Sequence, residues 1–146
     1  LFNEQLPALN PDLVIISVGT NESFDKQSGE QYFANLSQMI QGIKDKNPQA
    51  CVLVMTSPPS VLHRKYKNTF IEKYAEFIEE NAHVKNYAVW DLLQVFGGNK
   101  SIQRNAAKGY MARDKVHYSK AGYEKQGDLF FEAFLQSYEL FKSTKQ

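Results

Sequence analysis

Leu13-Val14-Ile15-Ile16-Ser17-Val18-Gly19-Thr20-Asn21-Glu22 is an apolar, β-branched run that stops abruptly at a glycine and a polar turn. Such a run has too little polar alternation for a half-exposed strand, and it predicts one buried on both faces of a parallel sheet. Two further runs of the same kind follow, Cys51 to Met55 and Tyr87 to Trp90. Helical spacing fills the intervals. Phe33, Leu36, Ile40 and Ile43 recur every three or four residues before the stop at Lys44-Asp45-Lys46-Asn47-Pro48. Phe70, Tyr74, Phe77 and Ile78 repeat the pattern before Asn81, and Tyr123, Phe130, Phe134, Tyr138 and Phe141 carry a last helix with Ser119 as its N-cap. Strands alternating with helices imply parallel strands joined by crossovers, so the expected fold class is α/β, a three-layer α/β/α sandwich. Only three strands are visible, whereas a doubly wound sheet has about five or more. The stretch is therefore expected to be a partial sheet, with the outer flank of its first strand an open row of backbone groups.

Composition narrows the function classes. With 146 residues, 42% hydrophobic and 23% charged, the chain has the length and apolar content of one cored domain. Its net charge is +1, from 17 basic and 16 acidic residues, which leaves no footprint for nucleic acid. The densest basic cluster, His63-Arg64-Lys65-Tyr66-Lys67, reads as a solvated loop. No apolar run approaches membrane-spanning length. Cys51 is the single cysteine and reads as a buried, inert thiol within a strand. His63 and His83 stand far apart with no cysteine or carboxylate cluster at ligand spacing, so no metal is expected. Leu1-Phe2-Asn3-Glu4-Gln5-Leu6 enters without an initiator Met and reads as the end of a helix.

Polar residues fall at the carboxyl ends of the predicted strands, the edge where open α/β sheets bind ligands. Gly19-Thr20-Asn21-Glu22 follows the first. A glycine there lets the backbone turn sharply, and an Asn two residues on can aim its amide at a developing oxyanion. The alternative is an Asn-rich turn that caps the next helix. Near the other end stands Asp114-Lys115-Val116-His117. An Asp three residues before a His in a turn can hold the imidazole by Nδ1–H and leave Nε2 free as a general base. Taken alone, this pair reads more simply as a capping Asp and an exposed His before the last helix.

The order of the two motifs decides between these readings. Pro11-Asp12-Leu13-Val14-Ile15-Ile16-Ser17-Val18-Gly19-Thr20-Asn21-Glu22 resembles the third block of the SGNH hydrolases, the GDSL esterase and lipase superfamily. Asp114-Lys115-Val116-His117-Tyr118-Ser119-Lys120-Ala121-Gly122-Tyr123 resembles its last block, and the likeness runs from Leu6 to about Leu135. The resemblance implies a flavodoxin-like sandwich and an ester hydrolase working through an acyl-serine intermediate, without a cofactor. His117 would be the general base, Asp114 its orienter and Asn21 an oxyanion donor. The family's nucleophilic serine lies in a Gly-Asp-Ser block, and an oxyanion glycine in a second block, both upstream of the Gly-x-Asn block. The chain is therefore expected to be the C-terminal portion of one such domain, over 1–146, with its partner an N-terminal segment of the same domain.

Nothing in the chain replaces that serine. Ser17 lies within a strand, Ser57 and Ser60 lack the block context, and Ser23 reads as a helix cap. Glu22 departs from the family's more usual Asp. Asp91-Leu92-Leu93-Gln94 fits a capping box, so Asp91 reads as structural. The long connection from Gly97-Gly98-Asn99 to Gly109-Tyr110-Met111 is a candidate wall of the substrate pocket. Gly19-Thr20-Asn21-Glu22-Ser23 and Val89-Trp90-Asp91-Leu92 look most like bacterial members that act on acetylated carbohydrate or peptidoglycan. The expected substrate is accordingly a small-molecule or carbohydrate ester, met in the periplasm or outside the cell. A non-catalytic carbohydrate-binding module that kept the fold is the rival reading.

Overall fold

The computed structural model describes residues 2–63 and 65–144, with side chains from residue 4 onward. Leu1 of the expected opening helix and Arg64 of the basic cluster lie outside the described residues. Strands β1 (Leu13–Ser17), β2 (Cys51–Met55) and β5 (Ala88–Trp90) form a parallel sheet in the order β1-β2-β5. The register pairs Leu13 with Cys51 and Leu53 with Ala88, which aligns the carboxyl ends of all three strands at Ser17, Met55 and Trp90. The loops that follow these ends carry the polar residues read from the sequence.

One face of the sheet is sealed. Helices α3 (Gly29–Lys46) and α4 (Thr69–Lys85) lie over it, and their apolar stripe meets every second residue of the strands. Ile16, Val52 and Val54 pack there with Leu36, Ile40, Ile43 and Ile78. Tyr32 and Tyr74 stack at 4.0 Å, and burial pushes the Tyr74 phenol up to about 12 while its hydroxyl donates to the Gln27 carbonyl. Helix α4 runs on past Asn81, the expected stop, with the Asn81 amide donating to the Phe77 carbonyl one turn back. The helix ends instead at Asn86 in the left-handed region.

The opposite face is only half covered. Helix α7 (Lys120–Ser143), capped by Ser119, sets Phe130 against Trp90 at 4.9 Å and covers Leu53 and Met55. It does not reach β1, where Leu13 and Ile15 stay 37% and 44% exposed. The first strand is thus buried on one face, not on both as its apolar run predicts. For the same reason Cys51 is exposed and not the buried thiol expected, and it lines an open apolar groove with Leu13 and Phe134.

The remaining helical elements are short: α1 (Phe2–Leu9), α2 (Thr20–Phe24), α5 (Leu92–Val95), a 3-10 turn (Asn99–Ser101) and α6 (Ile102–Ala107). The basic cluster is not a plain loop. Strands β3 (Val61–Leu62) and β4 (Tyr66–Lys67) pair antiparallel and make it the tip of a small hairpin. Asp91 caps α5 by accepting from the Gln94 N–H, as its spacing predicts. Among the described residues no helix is long and apolar enough to cross a membrane.

Candidate active site

The corner between β1 and α2 is fixed by its glycine. Gly19 has φ +120°, and a Cβ there would stand 2.5 Å from Ser57 Oγ and 3.3 Å from the Tyr32 hydroxyl. A side chain is excluded both by conformation and by space. The hydroxyls of Ser57 and Tyr32 both donate to the Val18 carbonyl, at 3.2 and 3.3 Å, so the strand end is held from two sides. Glu22 reaches back and accepts from the Gly19 N–H at 2.8 Å, the one half of a capping box that a glycine N-cap, having no side chain, allows.

Helix α2 is anchored from beneath. Ser23 sits in its interior, fully buried, rather than at its cap. Its hydroxyl donates to the Thr20 carbonyl and accepts from Asn68 Nδ2 at 2.8 Å. The other amide hydrogen of Asn68 goes to Ser60 Oγ at 3.1 Å, and Asn99 Nδ2 donates to the Asn68 carbonyl at 2.8 Å. This buried network ties α2, the β2–β3 loop, the start of α4 and the 3-10 turn to one another. Buried amide donors paired in this way hold the segments together, although the Oδ1 atoms of Asn68 and Asn99 have no partner among the described residues. Asn21, two residues before Ser23 on the same helix, is exposed, and its side chain makes no hydrogen bond among the described residues.

The second arm is the turn at residues 112–117. Asp114 Oδ1 accepts from the backbone N–H groups of Val116 and His117 at 2.9 and 3.0 Å. Its other oxygen, Oδ2, lies 2.7 Å from His117 Nδ1. These contacts, led by the imidazole, hold the Asp114 carboxyl down at about 2. Lys115 adopts φ +55° to close the turn, and the Ala112 N–H donates to the His117 carbonyl at 2.9 Å. Met111 and Tyr118 form a bridge at the base, where the Tyr118 ring packs edge-on to Phe96. Gly122 then lets α7 begin directly against the Tyr110 carbonyl, which any Cβ would strike. With Nδ1 engaged, Nε2 of the 71%-exposed His117 has no partner among the described residues.

Both arms open on one crevice of about 370 Å³, lined by Asn21 and Phe24 on one side and Asp114 and His117 on the other, with His63 from the hairpin. The structure thus brings all three residues singled out in the sequence, Asn21, Asp114 and His117, to a single hollow beyond the carboxyl edge of the sheet. No serine is among its lining residues. Ser57 is committed to the Val18 carbonyl, and Ser23 and Ser60 are buried in the Asn68 network. The connection 97–111 does not wall this crevice. It folds into the 3-10 turn and α6 and lines a separate hollow with Arg104 and Lys108. Sequence reading missed His63 and Asn68. His63 is hidden within a basic run, and Asn68 is one Asn among many until three separate segments converge on it. Among the described residues no group of three or more His, Cys, Asp or Glu could hold a metal ion.

Solved structures share this arrangement of strands and helices. A peptidoglycan O-acetylesterase superposes with a TM-score of 0.82 at 23% identity, over 92% of this chain and 40% of that one. A lipase/acylhydrolase from Enterococcus faecalis gives 0.68 at 23% identity, over 90% and 65%. An acetyl xylan esterase, AlAXEase, gives 0.68 at 23% identity, over 86% and 68%. The chain thus spans less than two thirds of the length of the first two. No curated protein sequence matches it significantly. The sequence itself matches the model of a known family over residues 1–125, on both sides of the crevice, and the chain belongs to the GDSL-like lipase/acylhydrolase family.

Proposed function

We propose that the protein is a serine ester hydrolase for which this chain supplies the general base, its orienter and one oxyanion donor. The observation that carries this reading is the 2.7 Å Asp114–His117 pair, with Nε2 free, on the same crevice as Asn21. In this reading the nucleophilic serine belongs to sequence preceding Leu1 in the same domain. His117 Nε2 takes the proton from the serine hydroxyl as Oγ attacks the ester carbonyl, and the Asp114 carboxylate stabilises the imidazolium that forms. The Asn21 amide donates to the oxyanion of the tetrahedral intermediate. Collapse expels the alcohol, which takes its proton from His117. Water then releases the acid from the acyl-serine by the same steps.

The substrate we propose is an acetyl ester of a carbohydrate. Two of the structural neighbours are, by name, a peptidoglycan O-acetylesterase and an acetyl xylan esterase, and the crevice here is open enough to admit an ester on a large alcohol. Such a substrate would place the enzyme in the periplasm or outside the cell. The test is hydrolysis of p-nitrophenyl acetate by the chain alone and by the protein with its preceding sequence. The expected result is no turnover by the first and turnover by the second, because no acyl-enzyme forms without the serine oxygen. A longer protein that folds and stays inert on short acyl esters and acetylated sugars would favour a binding module instead.

A further inference from the structure

Phe24 and His63 line the crevice without a part in the acyl transfer. Phe24 lies three residues after Asn21 on α2, so the two share a helix face, and the half-buried ring stands beside the oxyanion donor. His63 comes from the other direction, at the tip of the β3–β4 hairpin. Its ring meets that of Phe24 edge to face, with centroids 6.5 Å apart at 73°. The hairpin is docked on the catalytic turn itself, since the Val61 N–H donates to the Lys115 carbonyl at 3.2 Å. His63 also has φ +50°, a left-handed conformation that His adopts more readily than most non-glycine residues.

We propose that His63 and Phe24 form the alcohol-side subsite, and that the alcohol it takes is a pyranose ring of a glycan. This rests on the ester hydrolase reading above and extends it to the leaving group. The leaving oxygen must sit by His117 Nε2 to receive its proton, so the rest of the alcohol extends along the crevice that His117 shares with His63 and Phe24. The half-buried Phe24 ring, which lines the crevice, suits the C–H face of a sugar. An imidazole beside it, with no hydrogen bond among the described residues, can donate to or accept from a ring hydroxyl. A small alcohol would touch neither side chain. Both residues are therefore specificity-determining and not catalytic.

The test uses the full-length protein and two variants. His63→Asn keeps a residue that tolerates the left-handed region, and Phe24→Leu keeps an apolar side chain of similar reach. Binding of unacetylated xylotetraose and of chitotetraose is followed by NMR titration, and selectivity is followed as the ratio of kcat/KM on acetylated xylotetraose to that on vinyl acetate. Each variant is expected to weaken binding of the preferred tetrasaccharide about tenfold and to lower the selectivity ratio about tenfold, mostly through KM. The preferred tetrasaccharide identifies the glycan. Wild-type protein that binds neither, or variants that bind and select as wild type does, would overturn the subsite. Variants that lose rate equally on both esters would also overturn it, by making the residues part of the catalytic support. Wild type inert toward both esters, with tetrasaccharide binding that still depends on His63 and Phe24, would keep the subsite and sink the hydrolase reading alone.

Discussion

The two arms of the site are held by opposite means. Asn21 rides on a helix of five residues whose position is imposed from a distance, by a forbidden side chain at Gly19 and a buried network reaching Ser60, Asn68 and Asn99. Asp114 and His117 lie in a turn that largely shapes itself, through hydrogen bonds between residues two to five apart. In the reaction proposed above, the first arm would have to keep its place while charge develops beside it, because preorganised donors act only if they do not move. The second needs one orientation of one ring, which a carboxylate three residues away can supply. Damage to what holds the first arm should therefore appear as lost stability, whereas loss of Asn21 itself or of the second arm should appear as lost activity with the fold intact.

The largest effect on stability is expected at Gly19. Gly19→Ala forces a Cβ to within 2.5 Å of Ser57 Oγ in a backbone conformation that L-residues rarely adopt. Strain and overpacking together should cost on the order of 3 kcal/mol in chemical denaturation. A cost below about 1 kcal/mol would mean that the corner yields, and that the first arm is not rigid. Next comes Asn68→Ala, which strips partners from two buried serine hydroxyls and should cost about 2 kcal/mol. It should also lower kcat more than it raises KM, because it loosens the helix that carries Asn21.

The exposed arm gives the smallest effect on stability and the cleanest titration. Losing the Asp114–His117 contact should cost under about 1 kcal/mol, as surface pairs do. The Asp114 carboxyl titrates lower in the folded protein, about 2, than its ordinary 3.8. Its contribution to stability is thus complete above the ordinary value and disappears as pH falls through the folded one. Carboxyl NMR should give a midpoint near 2 that rises in His117→Ala, since the imidazole is the leading cause of the depression. An ordinary midpoint in the folded protein would mean that the turn opens in solution.

The same contrast explains what could be read from the sequence. The Asp-x-x-His turn, the Ser119 cap and the Gly-x-Asn corner are local, so their spacing carries the geometry. The three strands and the helices between them were legible because burial imposes a period on the residues. Ser23, read as a cap, turned out to be a buried anchor, because its partner Asn68 lies 45 residues away. His63 is exposed, as its basic neighbours suggest, but its place beside the crevice depends on the pairing of Val61 with Lys67, which leaves no mark on a two-residue strand. Exposure of β1 and Cys51 could not be read from their apolar neighbours, because what covers a strand is decided by helices far along the chain.

The central claim is that the two arms serve one reaction, and mutant kinetics in the longer protein test it most directly. On an acetyl ester, His117→Ala should lower kcat by about 10³-fold or more, because the base and nucleophile act as a unit. Asn21→Ala should lower it by about 10²–10³-fold, the usual loss for one oxyanion donor. The account predicts both losses with the thermal unfolding temperature unchanged in each variant. A kcat within a few fold of wild type for either variant would contradict it, and would leave the shared crevice without the chemistry assigned to it.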